Sequence, residues 1–386
     1  MECGGLPPLC RPRLAAAASC RAESGAKAPH SKLIARLRSS GGSIKLPAVS
    51  APHPSSPTVE QVSRAERLID LIAPKLQMVE EELRRNFQSK IQTIHDVGEH
   101  ILGGGGKRLR PALLLLVSKM LRYDGYRDVV YGAVIEFIHT ATLVHDDIID
   151  EAAIRRGRTS INYRWGNNLT VLVGDYLYTH SMNLALAEGN LEILRLLSNV
   201  TIRMIEGEIL GLEQNGHSDL SIDDYFEIVG RKTAALFGAC CRIPAYLVDM
   251  PESSAASLFN YGFNLGVCFQ LIDDLLDFTS STEVLGKPAL SDLKEGKLTL
   301  PLLLAMPRAT EKEREKIARV ASTKSFDDVD PSEMIDMVTR YDALDETRAI
   351  ARDYASRARA ALEPFSDSAA KEALDLALDF VLERDR

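Results

Sequence analysis

From about Thr58 onward, apolar residues return every three or four positions along the chain. Between Val59 and Phe87 they fall at Ile69, Ile72, Leu76, Val79 and Leu83, the spacing of one helix face. Similar stretches begin at Pro111, Arg127, Leu169, Leu191, Ile222 and Ser254. Pro111 suits a first turn, where the N–H that proline lacks has no partner to lose. From Pro331 to Arg386 the pattern is amphipathic, with alanine-rich faces over Ala349 to Leu362 and Ala369 to Leu382. No convincing run alternates in the manner of a strand. The pattern predicts an all-α fold with one large domain over residues 58–386.

Residues 1–57 break the pattern. They are rich in Pro, Ala, Ser and Arg, and their only acids are Glu2 and Glu23. Such a segment buries little apolar surface and is expected to be disordered. Its composition also fits a plastid or mitochondrial transit peptide, or an over-long start to a coding region. It has no apolar core of the secretory kind, since Leu14 to Ser19 is short and mostly alanine. A cytoplasmic protein is expected, or an organellar one if the extension is a transit peptide.

Composition narrows the function classes. The 386 residues are 45% hydrophobic and 26% charged, enough to build a sizeable core. The net charge of −8 argues against nucleic acid as the main partner. No apolar run approaches the roughly 20 residues of a membrane-spanning helix, so only peripheral membrane contact stays open. The six cysteines are scattered without a CxxC pair, which points to neither zinc nor a disulfide framework.

Two acidic clusters then change the picture. Asp146-Asp147-Ile148-Ile149-Asp150 and Asp273-Asp274-Leu275-Leu276-Asp277 share one spacing, each inside an apolar helical stretch. Carboxylates at i, i+1 and i+4 lie within one turn. Two such charges about 4 Å apart repel by roughly 4 kcal/mol near a surface. Clusters of this kind suit a bound cation, and oxygen-only ligands suit Mg²⁺ with substrate phosphates completing its shell.

Cations surround the clusters. Gly103 to Gly106 precede Lys107, Arg108 and Arg110, just before a helix. Glycines let the backbone approach an anion, and arginine grips phosphate in two places. A flexible loop with surface basics is the plainer reading. Arg155-Arg156-Gly157-Arg158 follows the first cluster, Gly230-Arg231-Lys232-Thr233 lies between helices, and Lys287 and Lys297 follow the second cluster. Each alone also has a plainer reading as solvated surface charge. His139 lies seven residues before Asp146 and faces the same way, as a phosphate donor or a core histidine. His145 points elsewhere, and the region of Trp165 reads as packing. Together the pieces predict two acidic walls around a diphosphate site, with a second anion site nearby.

These segments resemble the trans-isoprenyl (polyprenyl) diphosphate synthases. The likeness covers nearly all of residues 58–386: GGKRLRP (Gly105–Pro111), DDIID followed by RRG, GRKT, FQLIDDLLD (Phe269–Asp277), and a GK…D…GK…T tail ending at Thr299, all in the family's order. The resemblance implies a homodimeric helical bundle with a central cavity and two facing DDxxD motifs. It implies head-to-tail condensation of an allylic diphosphate with isopentenyl diphosphate. It implies Mg²⁺, about three ions per site with substrate bound. The metal would be held by Asp146, Asp150 and Asp273, with Asp147, Asp274 and Asp277 in support. Lys107, Arg110, His139 and Arg156 would bind isopentenyl diphosphate. Arg155, Lys232, Thr233, Gln270 and Lys287 would bind the allylic diphosphate, with Lys297 a further candidate. Of these, Asp146, Asp147, Asp150, Lys232, Asp273 and Asp274 would carry the catalysis.

In this family a bulky side chain four or five residues before the first aspartate blocks the growing product. Here those positions are Thr142 and Ala141, with Ile138 one turn below. The small pair, and the two-residue gap within the first cluster, imply a long product, octaprenyl to decaprenyl, used for quinone side chains. A shorter-chain synthase is the alternative. A class I terpene cyclase also carries DDxxD, but its second motif is not DDLLD and it has no use for GGKRLRP. A non-catalytic partner subunit would be expected to lose aspartates from one cluster.

Overall fold

A computed structural model of the chain describes residues 70–155, 157–279 and 290–384. The chain divides into two units between Val49 and Ser50, and every described residue belongs to the second. The expected extension over 1–57, and the boundary at 58, lie outside the described residues. So do Arg156 and Lys287.

The elements follow the apolar periodicity. Helices α1 (Ala73–Asn86), α2 (Gln92–Gly103), α3 (Leu109–Met120) and α4 (Arg127–Ile149) come first. A two-stranded antiparallel hairpin follows, β1 (Ile154–Arg155) and β2 (Arg158–Thr159), pairing Ile154 with Thr159. Next come α5 (Ile161–Trp165), α6 (Asn167–Ala187), α7 (Leu191–Gln214) and α8 (Ile222–Val229). A π-helical turn over Gly230–Ala234 runs into α9 (Ala235–Leu247). The long α10 (Glu252–Thr279) carries the second acidic cluster. The chain closes with α11 (Ser291–Lys294), α12 (Leu300–Ala305), α13 (Glu311–Thr323), α14 (Pro331–Arg340), α15 (Ala343–Leu362) and α16 (Ala369–Leu382).

Local chemistry sets several boundaries. The Asn190 side chain accepts from Ile193 N–H and starts α7, and Ser221 does the same for α8 through Asp224 N–H. Thr310 and Glu313 form a reciprocal capping box at the start of α13. Each such cap stabilises its helix by about 1 kcal/mol.

Helix α10 packs between α9 and α15, and α4 packs on α6 and α3. Close approach explains two glycines. A Cβ on Gly262 would come within 2.2 Å of the Phe237 carbonyl oxygen, and one on Gly266 within 2.8 Å of Ala234 Cα. The two lie one turn apart, so α10 presses its bare face against α9. The core beneath the first acidic cluster is apolar, built from Ile135 and Ile138 on α4, Leu197, Val200 and Met204 on α7, and Leu236, Ala239 and Ile243 on α9. At the other end of α4, buried Asp128 is held by Lys75 on α1 at 2.6 Å. Among the described residues no helix is long and apolar enough to cross a membrane.

The all-α expectation holds, with one small departure. The two-residue strands that carry Arg155 and Arg158 are too short for any periodicity to announce them.

Candidate active site

Helix α4 delivers the first acidic wall at its C-terminal end. Its three aspartates face different surroundings. Asp147 is buried and accepts from Arg155 Nε at 2.6 Å, which ties the helix end to the hairpin. Asp150 takes Lys297 Nζ at 2.9 Å. Asp146 is partly buried, and its carboxyl is pushed up to about 6. Burial is the main cause; Glu208 and Asp150 add to it, while Lys232 and Arg155 oppose it.

Helix α10 supplies the second wall. Asp273 is about half exposed and accepts from Arg384 at 3.0 Å. Asp274 is buried, and a hydrogen-bond chain reaches it. Thr233 Oγ1 donates to Gln270 Oε1 at 3.1 Å, Gln270 Nε2 donates to Asp274 Oδ1 at 3.0 Å, and the Tyr225 hydroxyl donates to Asp274 Oδ2. Burial pushes the Asp274 carboxyl up to about 7, against the hydrogen bonds from Tyr225 and Gln270. Tyr225→Phe leaves that buried oxygen without its donor, which costs about 1–3 kcal/mol. Chemical denaturation of the two proteins measures the loss, and equal midpoints would refute the role.

Asp277, expected in support of the metal, has backbone and hydroxyl partners of its own. Its Oδ1 accepts from Ser291 N–H at 3.0 Å and Ser291 Oγ at 2.8 Å, and its Oδ2 accepts from Asp292 N–H at 3.2 Å. The carboxylate pins the returning chain at the start of α11, whose first backbone N–H groups have no partner within their own helix.

The cations come from several elements. The π turn inserts an extra residue per turn, which re-aims the side chains of Lys232 and Thr233. It lies hard against α7, where a Cβ on Gly207 would sit 2.7 Å from Lys232 N. Lys232 Nζ contacts Glu208 at 2.5 Å. Lys297 bridges Asp150 and Glu295; burial works against its charge, but the two carboxylates outweigh it and raise its pKa. A cleft open to solvent is lined by Glu208, Lys232, Thr233, Gln270, Asp274 and Lys297.

The glycine-rich loop lies along a chain of rings. Lys107 Nζ sits 5.8 Å over the Phe380 ring, and the Arg110 guanidinium 4.5 Å over Phe237. Phe237 meets Phe269 at 5.6 Å, and Arg384 lies 4.5 Å over Phe269 while pairing with Asp273. Arg110 is thereby linked through two rings to the second wall. His139 lies on α4, its carbonyl accepting from Thr142 Oγ1 at 2.8 Å. Trp165 packs edge-on against His100 at 5.2 Å, in line with a packing role.

Sequence reasoning missed Glu208, Tyr225 and Arg384, and gave Asp292 no role. Glu208 had a signal: it is an acid within the apolar run of α7. Asp292 lines the cleft too, where burial foremost, then Asp277 and Asp274, push its carboxyl well up.

The polyprenyl synthetase family profile matches residues 91–338. The chain belongs to the polyprenyl synthetase family. It is 36% identical to octaprenyl diphosphate synthase of Escherichia coli over 321 residues, covering 83% of this chain and 99% of that one. A decaprenyl diphosphate synthase structure from Rhodobacter capsulatus superposes with a TM-score of 0.79 at 36% identity, covering 83% of this chain and 99% of that one. A polyprenyl synthase from Caulobacter crescentus, complexed with calcium and isoprenyl diphosphate, superposes with a TM-score of 0.80 at 36% identity, covering 83% and 98%.

Polyprenyl synthetases use Mg²⁺, and the donors here suit it. They are carboxylate oxygens, and burial disfavours a bare charge on Asp146 despite Lys232 and Arg155 nearby. Among the described residues no three acidic, His or Cys groups are already gathered as a cage.

Proposed function

We propose that this polyprenyl synthetase condenses an allylic diphosphate with successive isopentenyl diphosphates, head to tail, to give an all-trans chain of about octaprenyl to decaprenyl length. The observation that carries the reading is a cleft where Asp274 of the second cluster meets Lys232 and Lys297, with Lys297 reaching back to Asp150 of the first. Mg²⁺, about three ions with substrate bound, would neutralise the allylic diphosphate and draw it off as a leaving group. Asp146, Asp150 and Asp273 would hold the metal. Lys232, Thr233, Gln270 and Arg155 would orient the departing diphosphate. Lys107, Arg110, His139 and Arg156 would hold isopentenyl diphosphate so that its double bond attacks the allylic carbon. The proton lost afterwards would go to the released diphosphate. The cations stabilise charge where it develops, usually the largest part of such catalysis.

The length assignment rests on α4. Ala141 and Ile138 are buried, and Thr142 is half-buried one turn beneath Asp146. The growing tail would enter the apolar core below them. Each isoprene unit buries about five carbons, worth roughly 4 kcal/mol, so a long product would leave slowly and favour contact with a membrane surface. A shorter product is the second reading, favoured by the complete burial of Ile138 in that core.

The experiment is incubation of the purified chain with isopentenyl diphosphate, farnesyl diphosphate and Mg²⁺, with product length read by mass spectrometry. Products near C40–C50 are expected at about five carbons per unit. A product stopping near C20 would support the shorter-chain reading. Hydrocarbon from geranylgeranyl diphosphate alone would point to a cyclase, and no turnover by the lone chain to a partner subunit.

We further propose a homodimer. Helix α7 exposes Ile202, Ile205, Ile209 and Leu212 on one face, each between 44% and 55% exposed. Such a stripe at three- and four-residue spacing is an association surface. Ile205→Asp with Ile209→Asp should convert the dimer to monomers in light scattering; a dimer of unchanged mass would rule this face out.

A further inference from the structure

Arg108 lies between Lys107 and Arg110, yet its side chain is 8% exposed and turned into the protein. Its Nε donates to Glu80 Oε1 on α1 at 2.5 Å, and its NH2 nitrogen reaches Glu80 Oε2 at 3.3 Å. Its NH1 nitrogen donates to buried Glu136 on α4 at 2.5 Å. Glu136 stands three residues before His139, so the two side chains are neighbours on one face of α4. The backbone at Arg108 is left-handed, φ 46° and ψ 35°, and follows Gly105 and Gly106 at φ 63° and 159°. A side chain with a Cβ keeps such a conformation only where its surroundings hold it there. Three hydrogen bonds to two helices do the holding.

We propose that Arg108 is a positioning residue for the isopentenyl diphosphate subsite: its ion pairs with Glu80 and Glu136 dock the glycine-rich loop on α1 and α4 and fix Lys107 and Arg110 relative to His139. This deepens the prenyl-transfer reading and rests on it. Arg108 does not touch substrate. It also cancels much of the charge of two acids that would otherwise repel a diphosphate. Its fork meets carboxylates in a geometry that a lysine ammonium does not reproduce.

The test uses Arg108→Lys, which keeps the charge, and Glu80→Gln, where the lost carboxylate is partly exposed. Steady-state kinetics are run against each substrate in turn, with titration calorimetry of isopentenyl diphosphate. For Arg108→Lys the KM for isopentenyl diphosphate should rise about 10- to 100-fold, as expected for a small misplacement of binding groups. For Glu80→Gln the same rise should be smaller. The KM for farnesyl diphosphate, and kcat at saturation, should stay within about twofold in both, because the grip lost is on one substrate only. Calorimetric affinity should fall in parallel. Both KM values rising together, or a lower Tm with unchanged kinetics, would make the residue merely structural and overturn the proposal. If Arg108→Lys does not fold, Glu80→Gln decides by the same readings. A wild-type chain that neither binds nor consumes isopentenyl diphosphate sinks the prenyl-transfer reading and this one with it. Wild-type turnover with unchanged KM in the folded variants sinks this one alone.

Discussion

Asp146→Asn should cut turnover by about 10³-fold or more while raising the melting temperature of the metal-free protein. The two effects share one cause. The Asp146 carboxyl is pushed up to about 6, chiefly by burial, with Glu208 and Asp150 adding to it. An unfolded aspartate titrates near 3.9, so the folded state binds this proton more tightly than the unfolded state. A raised carboxyl destabilises. The penalty is absent below about pH 4, grows as pH rises towards 6, and is fully present above. Two pH units correspond to about 3 kcal/mol as an upper figure. Asparagine carries no charge and escapes the penalty, but it is a far weaker metal ligand. Thermal melts in chelator should show the variant a few degrees more stable at pH 7.5, with the gain gone near pH 4. Turnover retained at saturating Mg²⁺ would remove Asp146 from the metal site. A variant that melts no higher at pH 7.5 would remove the electrostatic strain.

Ala141→Phe should shorten the product, from about eight to ten isoprene units to about three or four, if each unit extends the chain down the core below Asp146. Helical side chains lean toward the N-terminus, so residues four and five before Asp146 lie beneath its carboxylate. Five residues at about 1.5 Å each put Ala141 roughly 7.5 Å down the helix. Ala141 is only 3% exposed, so a phenyl ring there either juts into the path of the tail or overpacks at about 1–3 kcal/mol. Thr142 is less confined and stands directly under Asp146. Thr142→Phe is therefore the companion arm, with less risk to folding. Mass spectrometry of the products reads both. Unchanged length in two folded variants would move the limit on chain length to other helices.

Much of this site was legible along the chain, and the rest was hidden for a physical reason. The helices carrying both acidic clusters announced themselves by periodicity, and the i, i+1, i+4 spacing put carboxylates on one turn. GRKT was legible as a cation with a hydroxyl, but not as a π turn, because that depends on how closely Gly207 lets α7 approach. Tyr225 gave no signal: its partner Asp274 is 49 residues away and the bond exists only when α8 meets α10. Asp277 looked like its neighbours in sequence and differs because the backbone at Ser291 returns to it. Arg108 stood unassigned between Lys107 and Arg110, and only two acids on separate helices reveal that it faces inward. Patterns within one helix were readable; pairings between helices were not.

The contact from Lys297 to Asp150 spans 147 residues. A ribosome adding about 5–20 residues per second would leave the first cluster waiting roughly 7–30 s for that lysine. Over that interval α4 exists without its distant counter-charge, and until residue 247 is made the apolar core beneath it lacks the wall of α9. The nascent chain is then exposed to aggregation at the very segment that will later receive the substrate. A chaperone that engages the chain between the synthesis of α4 and that of α10 would have its largest effect on yield, and slowing translation over that stretch would lower it.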